Sequence, residues 1–160
     1  MVYYEPRVTQ ADKDHITHRL SKYVMDIRHD HELYRHLHCY WPDDPIGPNN
    51  CSFDVITAPG SITIYGDWMS AFTLRRYGDQ DMLLDFCNDK GIIFDPENVP
   101  GEHYTLEWVR TCMALQWAAR TYAAAQSYKK QKQIHRYLTT ERHMFLGDLT
   151  LPEKPPVVGI

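Results

Sequence analysis

The sequence predicts a single α+β domain, residues 1–160, in which an antiparallel meander sheet of about four strands packs against an N-terminal helix and two C-terminal helices. Three observations lead to this prediction. Residues 33–77 alternate between apolar and polar side chains and are interrupted by Pro, Gly and Asn turns. The segments on either side carry apolar residues at helical spacing instead. The length of 160 residues, with 43% apolar and 24% charged residues, is typical of one domain with a sizeable core.

The first helix is predicted over residues 10–28. Thr9 and Asp12 have the spacing of a capping box, with Asp in place of the usual Glu. Beyond this box, apolar side chains recur at i, i+4, i+7 and i+11, which places them on one helical face: Ile16, Leu20, Tyr23 and Ile27.

The sheet is predicted over residues 33–77. In the first strand, alternation separates a more apolar inner series from an outer one: Leu33, Arg35, Leu37, Cys39 and Trp41 inside, and Tyr34, His36, His38 and Tyr40 outside. The second strand has Phe53, Val55 and Thr57 on its inner face, and Asp54 and Ile56 opposite. Pro59-Gly60 predicts a tight turn into a third strand at 61–65, and a fourth follows at 71–76.

The C-terminal half is predicted to be helical. A short helix is expected over residues 80–88, and a longer helical part over 104–140. Residues 150–160 form a Pro-rich segment that we expect to be extended. The apolar face over residues 104–126 is broad, and it fits either the core of one domain or a homodimer through this helical C-terminal part.

Composition narrows the classes of function. The net charge of −4 argues against a general nucleic-acid binder, and no apolar run approaches the roughly 18 residues of a membrane span. Cys39, Cys51, Cys87 and Cys112 are dispersed without a C-x-x-C pair, and the N-terminus does not resemble a signal peptide. We therefore expect reduced thiols and a cytoplasmic protein, with a Cys39–Cys51 disulfide across a hairpin as the alternative.

Candidate catalytic residues are few. His36 and His38 alternate on one strand and so share a face, where Asp54, Asp67 or Asp81 can serve as an acid–base partner. The candidate catalytic set is His36, His38 and Asp67, although Gly66-Asp67 is more typical of a turn, in which the carboxylate accepts backbone N–H bonds. No H-E-x-x-H, P-loop or G-x-G-x-x-G pattern accompanies them, so neither a metal nor a cofactor is expected.

The aromatic content favours a binding surface. Eleven Tyr and four Trp exceed what one small core needs, and Tyr, Trp and Arg carry most interface energy. The predicted binding residues lie in or beside the sheet: Tyr34, Tyr40, Trp41, Tyr65, Trp68, Arg75 and Arg76. A helix packed over the same face is the alternative. The basic segment 129–136 is typical of a solvated helix face, and nucleic acid is not its expected partner.

The central block resembles a known family. The strings LYRHL and FDVITAPGSITIYGD, followed by a strand and a closing Asp-Met, are similar to a family of small uncharacterised proteins encoded by bacteriophages and prophages. The likeness spans roughly residues 31–87. It departs at residues 68–72, Trp-Met-Ser-Ala-Phe, where the family continues into a small-residue turn and an aromatic strand.

The resemblance implies a phage protein that acts in the host-cell cytoplasm on a host or defence-system protein. The expected function is stoichiometric, non-enzymatic binding, as in an anti-CRISPR inhibitor. Two alternatives stay open on the residues alone. One is a small metal-dependent or His/Asp-dependent enzyme, and the other is a nucleic-acid-binding accessory protein that uses the basic segment.

Overall fold

The computed structural model describes residues 8–76, 78–86, 106–141 and 151–160. Its elements follow in chain order as α1 (Gln10–Leu20), β1 (Val24–His31), β2 (Tyr34–Tyr40), β3 (Phe53–Ala58), β4 (Ser61–Gly66), β5 (Met69–Arg75), α2 (Met82–Asp85) and α3 (Leu106–Arg136). A π-helical turn, Tyr137–Glu141, follows α3. The predicted α+β class is confirmed, with five strands rather than about four.

The five strands form one antiparallel meander in the order β1-β2-β3-β4-β5. Because side chains alternate across each strand, one face carries a continuous apolar layer. That covered face includes Leu37, Val55 and Ile64, none of which is measurably exposed to solvent. The alternation predicted for β2 and β3 is confirmed, since Arg35, Leu37 and Cys39 are buried, as are Phe53, Val55 and Thr57.

The helices supply the other side of the core. Ile16 and Leu20 of α1 are buried, and Thr9 forms the predicted capping box with Asp12. The buried side chains of α3 lie between Val109 and Tyr128, and no side chain of the helix after Tyr128 is buried. These contacts account for its broad apolar face within one chain, so the face gives no separate support for a homodimer. Among the described helices, none has the length and apolar character needed to cross a bilayer.

The prediction of a first helix over residues 10–28 is wrong beyond Leu20. The chain turns at Ser21 and Lys22, and β1 begins at Val24. Tyr23 and Ile27 fit the helical spacing, but long-range pairing decides the structure. Met25 pairs with Cys39 of β2. It also bonds to the C-terminal tail, donating to the Pro156 carbonyl at 2.9 Å and accepting from the Val158 N–H at 2.8 Å.

The remaining predicted segments agree with the structure in position. α2 lies inside the predicted 80–88, and α3 with its π-helical turn occupies most of 104–140. Residues 87, 88, 104, 105 and 150, at the ends of these predictions, lie outside the described residues. Residues 151–160 contain no helix, and a parallel bridge between Val157 and Met25 places them beside β1. Gly60 adopts φ = 71° in the predicted turn between β3 and β4.

A buried arginine fixes β2 to the helices. Arg35 lies on the covered face with a side chain 5% exposed, and both of its terminal nitrogens donate to Asp81, at 2.9 and 2.7 Å. Its guanidinium also lies 4.7 Å from the centre of the Tyr122 ring on α3, and 3.8 Å from Asp30 on β1. Tyr122 in turn donates to Asp30 at 2.8 Å. This network orients the strand that carries His36 and His38 on its opposite face.

Candidate functional site

The candidate site is the second face of the sheet, which we call the open face. The described helices pack on the covered face, and alternation directs the remaining side chains the other way. The open face is formed by Asp26 of β1; Tyr34, His36, His38 and Tyr40 of β2; Asp54 and Ile56 of β3; Thr63 and Tyr65 of β4; and Thr73 and Arg75 of β5.

One carboxylate joins the two histidines of the open face. Asp54 lies opposite His38 in the β2–β3 register. Its Oδ1 is 2.7 Å from His38 Nδ1, and its Oδ2 is 2.6 Å from His36 Nε2. The three side chains are largely shielded by their neighbours, with exposures of 31% for His36, 14% for His38 and 13% for Asp54.

The chemistry of Asp54 fixes the protons of both rings. An ionised carboxylate accepts hydrogen bonds and donates none, so each ring nitrogen that faces it carries a hydrogen. Burial pushes the pKa of Asp54 upward, but the hydrogen bonds from His36 and His38 outweigh it and hold that pKa below its ordinary value of 3.8. In the neutral rings, His36 Nδ1 and His38 Nε2 are therefore left as acceptors.

Aromatic and aliphatic side chains surround this pair. The Tyr40 ring stacks on His38 with centroids 5.3 Å apart. Tyr65 lies opposite Asp54 on β4, so Asp26, His38, Asp54 and Tyr65 form one row across four strands. Tyr34, Ile56 and Tyr65 are exposed by 51%, 38% and 38%. The open face thus presents apolar contact area around a polar centre.

The two predicted tryptophans, Trp41 and Trp68, do not lie on this face. Trp68 is buried in the turn between β4 and β5, where its ring lies 5.5 Å from Tyr23 and 6.1 Å from Phe53. Its prediction as an exposed binding residue is corrected accordingly. Trp41 directly follows β2 and is half-buried, with the Arg19 guanidinium of α1 5.3 Å from its ring.

The two predicted arginines separate. Arg75 lies on the open face opposite Ser61, whereas Arg76 follows β5 and lies 3.8 Å from Asp85 of α2. Tyr34, Tyr40, Tyr65 and Arg75 of the predicted set therefore share one face, as the alternation of the strands requires.

The structure also replaces one member of the candidate catalytic set. Asp67 is an exposed turn residue whose N–H donates to the Ser52 carbonyl at 3.0 Å, and the histidines bond to Asp54 instead. The register explains this, because the β2–β3 pairing sets Asp54 directly beside His38. Asp81, the third carboxylate considered, pairs with Arg35 on the covered face.

Metal and cysteine chemistry gain no support from the described residues. Within the described ranges, no group of three or more His, Cys, Asp or Glu side chains is arranged to hold a metal ion. Cys39, Cys51 and Cys112 are free thiols, and Cys87 lies outside the described part. Burial raises the pKa of the Cys39 thiol well above its ordinary range, which disfavours the thiolate that a nucleophile requires.

Comparisons with known proteins identify no relative. No protein-family model matches the chain, and neither a curated protein nor a solved structure is significantly similar to it. Functional assignment therefore rests on the residues of the open face and on the charges of the helical side.

Proposed function

We propose that this protein is a non-enzymatic binding protein that acts by stoichiometric contact through the open face of its sheet. The observation that carries the proposal is the set of half-exposed apolar side chains on that face, Tyr34, Ile56 and Tyr65. Among the described residues, no helix packs on this face. The solvated face of an antiparallel sheet usually carries polar side chains, whereas aromatic side chains are enriched in interfaces, so the aromatic and aliphatic lining favours a binding surface.

The dimensions of the open face suit a protein partner. Five strands spaced about 4.8 Å apart, each about six residues long, cover roughly 20 by 24 Å. A specific protein–protein interface buries about 800 Å² on each partner. The open face supplies a large part of that area, and its Tyr and Arg side chains are of the types that dominate binding energy. A host or defence-system protein in the cytoplasm of an infected cell is the partner that the phage resemblance suggests, and anti-CRISPR-like inhibition is one form of this activity.

The test is affinity capture from host lysate with matched variants. Tyr65→Ala and Ile56→Ser remove apolar area from the open face. Tyr137→Ala and Ile134→Ser make the same chemical changes at the end of α3, where the two side chains are 48% and 49% exposed. We expect the open-face variants to lose a captured protein that both controls retain in about 1:1 ratio. Equal capture by all four variants would contradict the proposal.

A second candidate function is acid–base catalysis by His36 and His38. The specific observation in its favour is Asp54, which fixes the tautomers of both rings as orienting carboxylates do in many enzymes. A turnover assay separates the two candidates. Catalysis requires many product molecules per protein and their loss in His36→Ala and His38→Ala, whereas the binding protein gives an effect that saturates at one equivalent.

A further inference from the structure

A basic groove lies on the helical side of the molecule, in residues that the open face does not use. It runs between the end of α3 and the C-terminal tail and has a volume of about 290 Å³. Its walls are Lys129, Lys132, Gln133 and Arg136 on one side and Gly159–Ile160 on the other. The three cations are spaced i, i+3 and i+7, which places them on one stripe of the helix.

The wall opposite α3 is held in position. The tail is fixed to β1 by the two Met25 hydrogen bonds, at 2.9 and 2.8 Å. Pro155 and Val157 are buried beside them. The groove is therefore formed before any ligand arrives, which lowers the entropy lost on binding.

Positive charge is concentrated in this part of the sequence. Between Glu107 and Glu141 the sequence contains six Lys and Arg residues and no acidic residue, although the whole chain carries −4. No carboxylate of the described residues lies within ion-pair distance of Lys129, Lys132 or Arg136. The helix dipole favours a cation in the last turn, which accounts for Arg136 but not for Lys129 two turns earlier.

We propose that this groove binds a small molecule through two adjacent phosphate groups. Arg136 can bond two phosphate oxygens at once with its planar guanidinium, and Lys129 and Lys132 supply compact positive charges beside it. Lys129 and Arg136 are separated by about 10 Å along the helix at 1.5 Å per residue. The groove volume is near the lower end of the range for small-molecule sites, roughly 300–1,000 Å³. The spacing of the cations and this volume both suit a diphosphate group.

The test titrates the full chain with sodium pyrophosphate, with orthophosphate and with a short single-stranded oligonucleotide, by calorimetry at a physiological ionic strength of about 0.15 M. We expect pyrophosphate to bind more tightly than orthophosphate. Lys132→Gln and Arg136→Gln should each weaken pyrophosphate binding roughly ten- to a hundredfold, as expected for loss of a charged hydrogen bond. Lys130→Gln makes the same charge change outside the groove and should leave the affinity unchanged.

Three results would overturn the proposal. One is a lack of pyrophosphate binding at this ionic strength. Another is an equal loss of affinity in Lys130→Gln and Lys132→Gln, which would indicate a diffuse positive field. The third is an oligonucleotide that binds more tightly than pyrophosphate and with a steep salt dependence, which would identify the groove as a nucleic-acid contact. All of the substituted side chains are exposed, so circular dichroism should show an intact fold in each variant.

Discussion

Replacing Asp81 with asparagine removes the charge that balances the buried Arg35. Asp81 accepts two hydrogen bonds from Arg35 and also caps α2 by accepting from the N–H groups of Leu83 and Leu84. Asparagine caps helices about as well as aspartate, so Asp81→Asn keeps the cap and isolates the ion pair.

The magnitude follows from burial. Removing one partner of a buried ion pair costs about 3–5 kcal/mol, because the other charge is left uncompensated. Two features reduce this cost. Asp30 remains 3.8 Å from Arg35 and still balances part of its charge, and the Asp81 side chain is 20% exposed to solvent. We therefore expect Asp81→Asn to lower the free energy of unfolding by about 2–3 kcal/mol, below the usual range for fully buried pairs.

Denaturant unfolding at neutral pH measures this loss, and Asp85→Asn on the same helix is the matched control. Asp85 lies 3.8 Å from Arg76 in a pair whose side chains are 46% and 35% exposed, so its loss should cost at most about 1 kcal/mol. A loss in Asp81→Asn no larger than that of Asp85→Asn would refute the account of Arg35.

The same variant has a predicted pH dependence. Burial raises the pKa of Asp81, but the hydrogen bond and charge of Arg35 outweigh it, so that the folded-state pKa lies below 3.8. A carboxylate with a lowered folded-state pKa makes its whole contribution to the free energy of unfolding above its unfolded-state pKa of about 3.9. That contribution is lost as the pH falls through the folded-state pKa. The stability gap between the parent protein and Asp81→Asn should therefore stay constant from neutral pH to about pH 4 and close in stronger acid.

Three further predictions concern the turn, the core and the open face. Gly60→Ala should cost about 1–3 kcal/mol in denaturant unfolding, because φ is 71° and the new Cβ would clash with the Gly78 carbonyl oxygen. A change below about 0.5 kcal/mol would contradict this. Trp68→Ala should lower the free energy of unfolding by about 3–5 kcal/mol, because it empties a buried site, whereas Tyr65→Ala should change it little. Equal losses in the two variants would show that Trp68 is not in the core. Asp54→Asn should change the ¹⁵N chemical shifts of the ring nitrogens of at least one of the two neighbouring histidines at neutral pH, because the amide oxygen still accepts from one ring while the amide N–H cannot accept from the other; unchanged shifts in both rings would contradict the assigned hydrogen bonds.

The alternation of the central strands was predictable because each strand has one buried and one open face. Apolar and polar residues alternate along β2 and β3 with a period of two. This alternation correctly assigns Leu37 and Val55 to the buried face, and His36 and Asp54 to the other face. The spacing does not predict β1, because Tyr23 and Ile27 also fit the apolar face of a helix. Its strand structure depends on partners far along the chain, Cys39 and the tail at Pro156, which local spacing does not contain.

The candidate site was predictable in part, for the same reason. Strand alternation placed His36 and His38 together, but the choice between Asp54 and Asp67 depended on the β2–β3 register, which periodicity leaves undetermined. Residue type alone predicts a surface position for Trp68, although large aromatic side chains occur in both cores and interfaces. Arg35 carried a usable signal, since an arginine within an apolar strand face requires a buried acidic partner.

The central claim is that the open face binds a partner, and the affinity of Tyr65→Ala for a captured protein tests it most directly. Surface plasmon resonance against that protein should show a loss of about 1–2 kcal/mol or more relative to the parent chain, as for an interface hot spot. Tyr137→Ala, which removes an exposed tyrosine directly after α3, should bind like the parent. Undiminished binding by Tyr65→Ala, with a loss in Tyr137→Ala, would place the interface on the helical side and contradict the account.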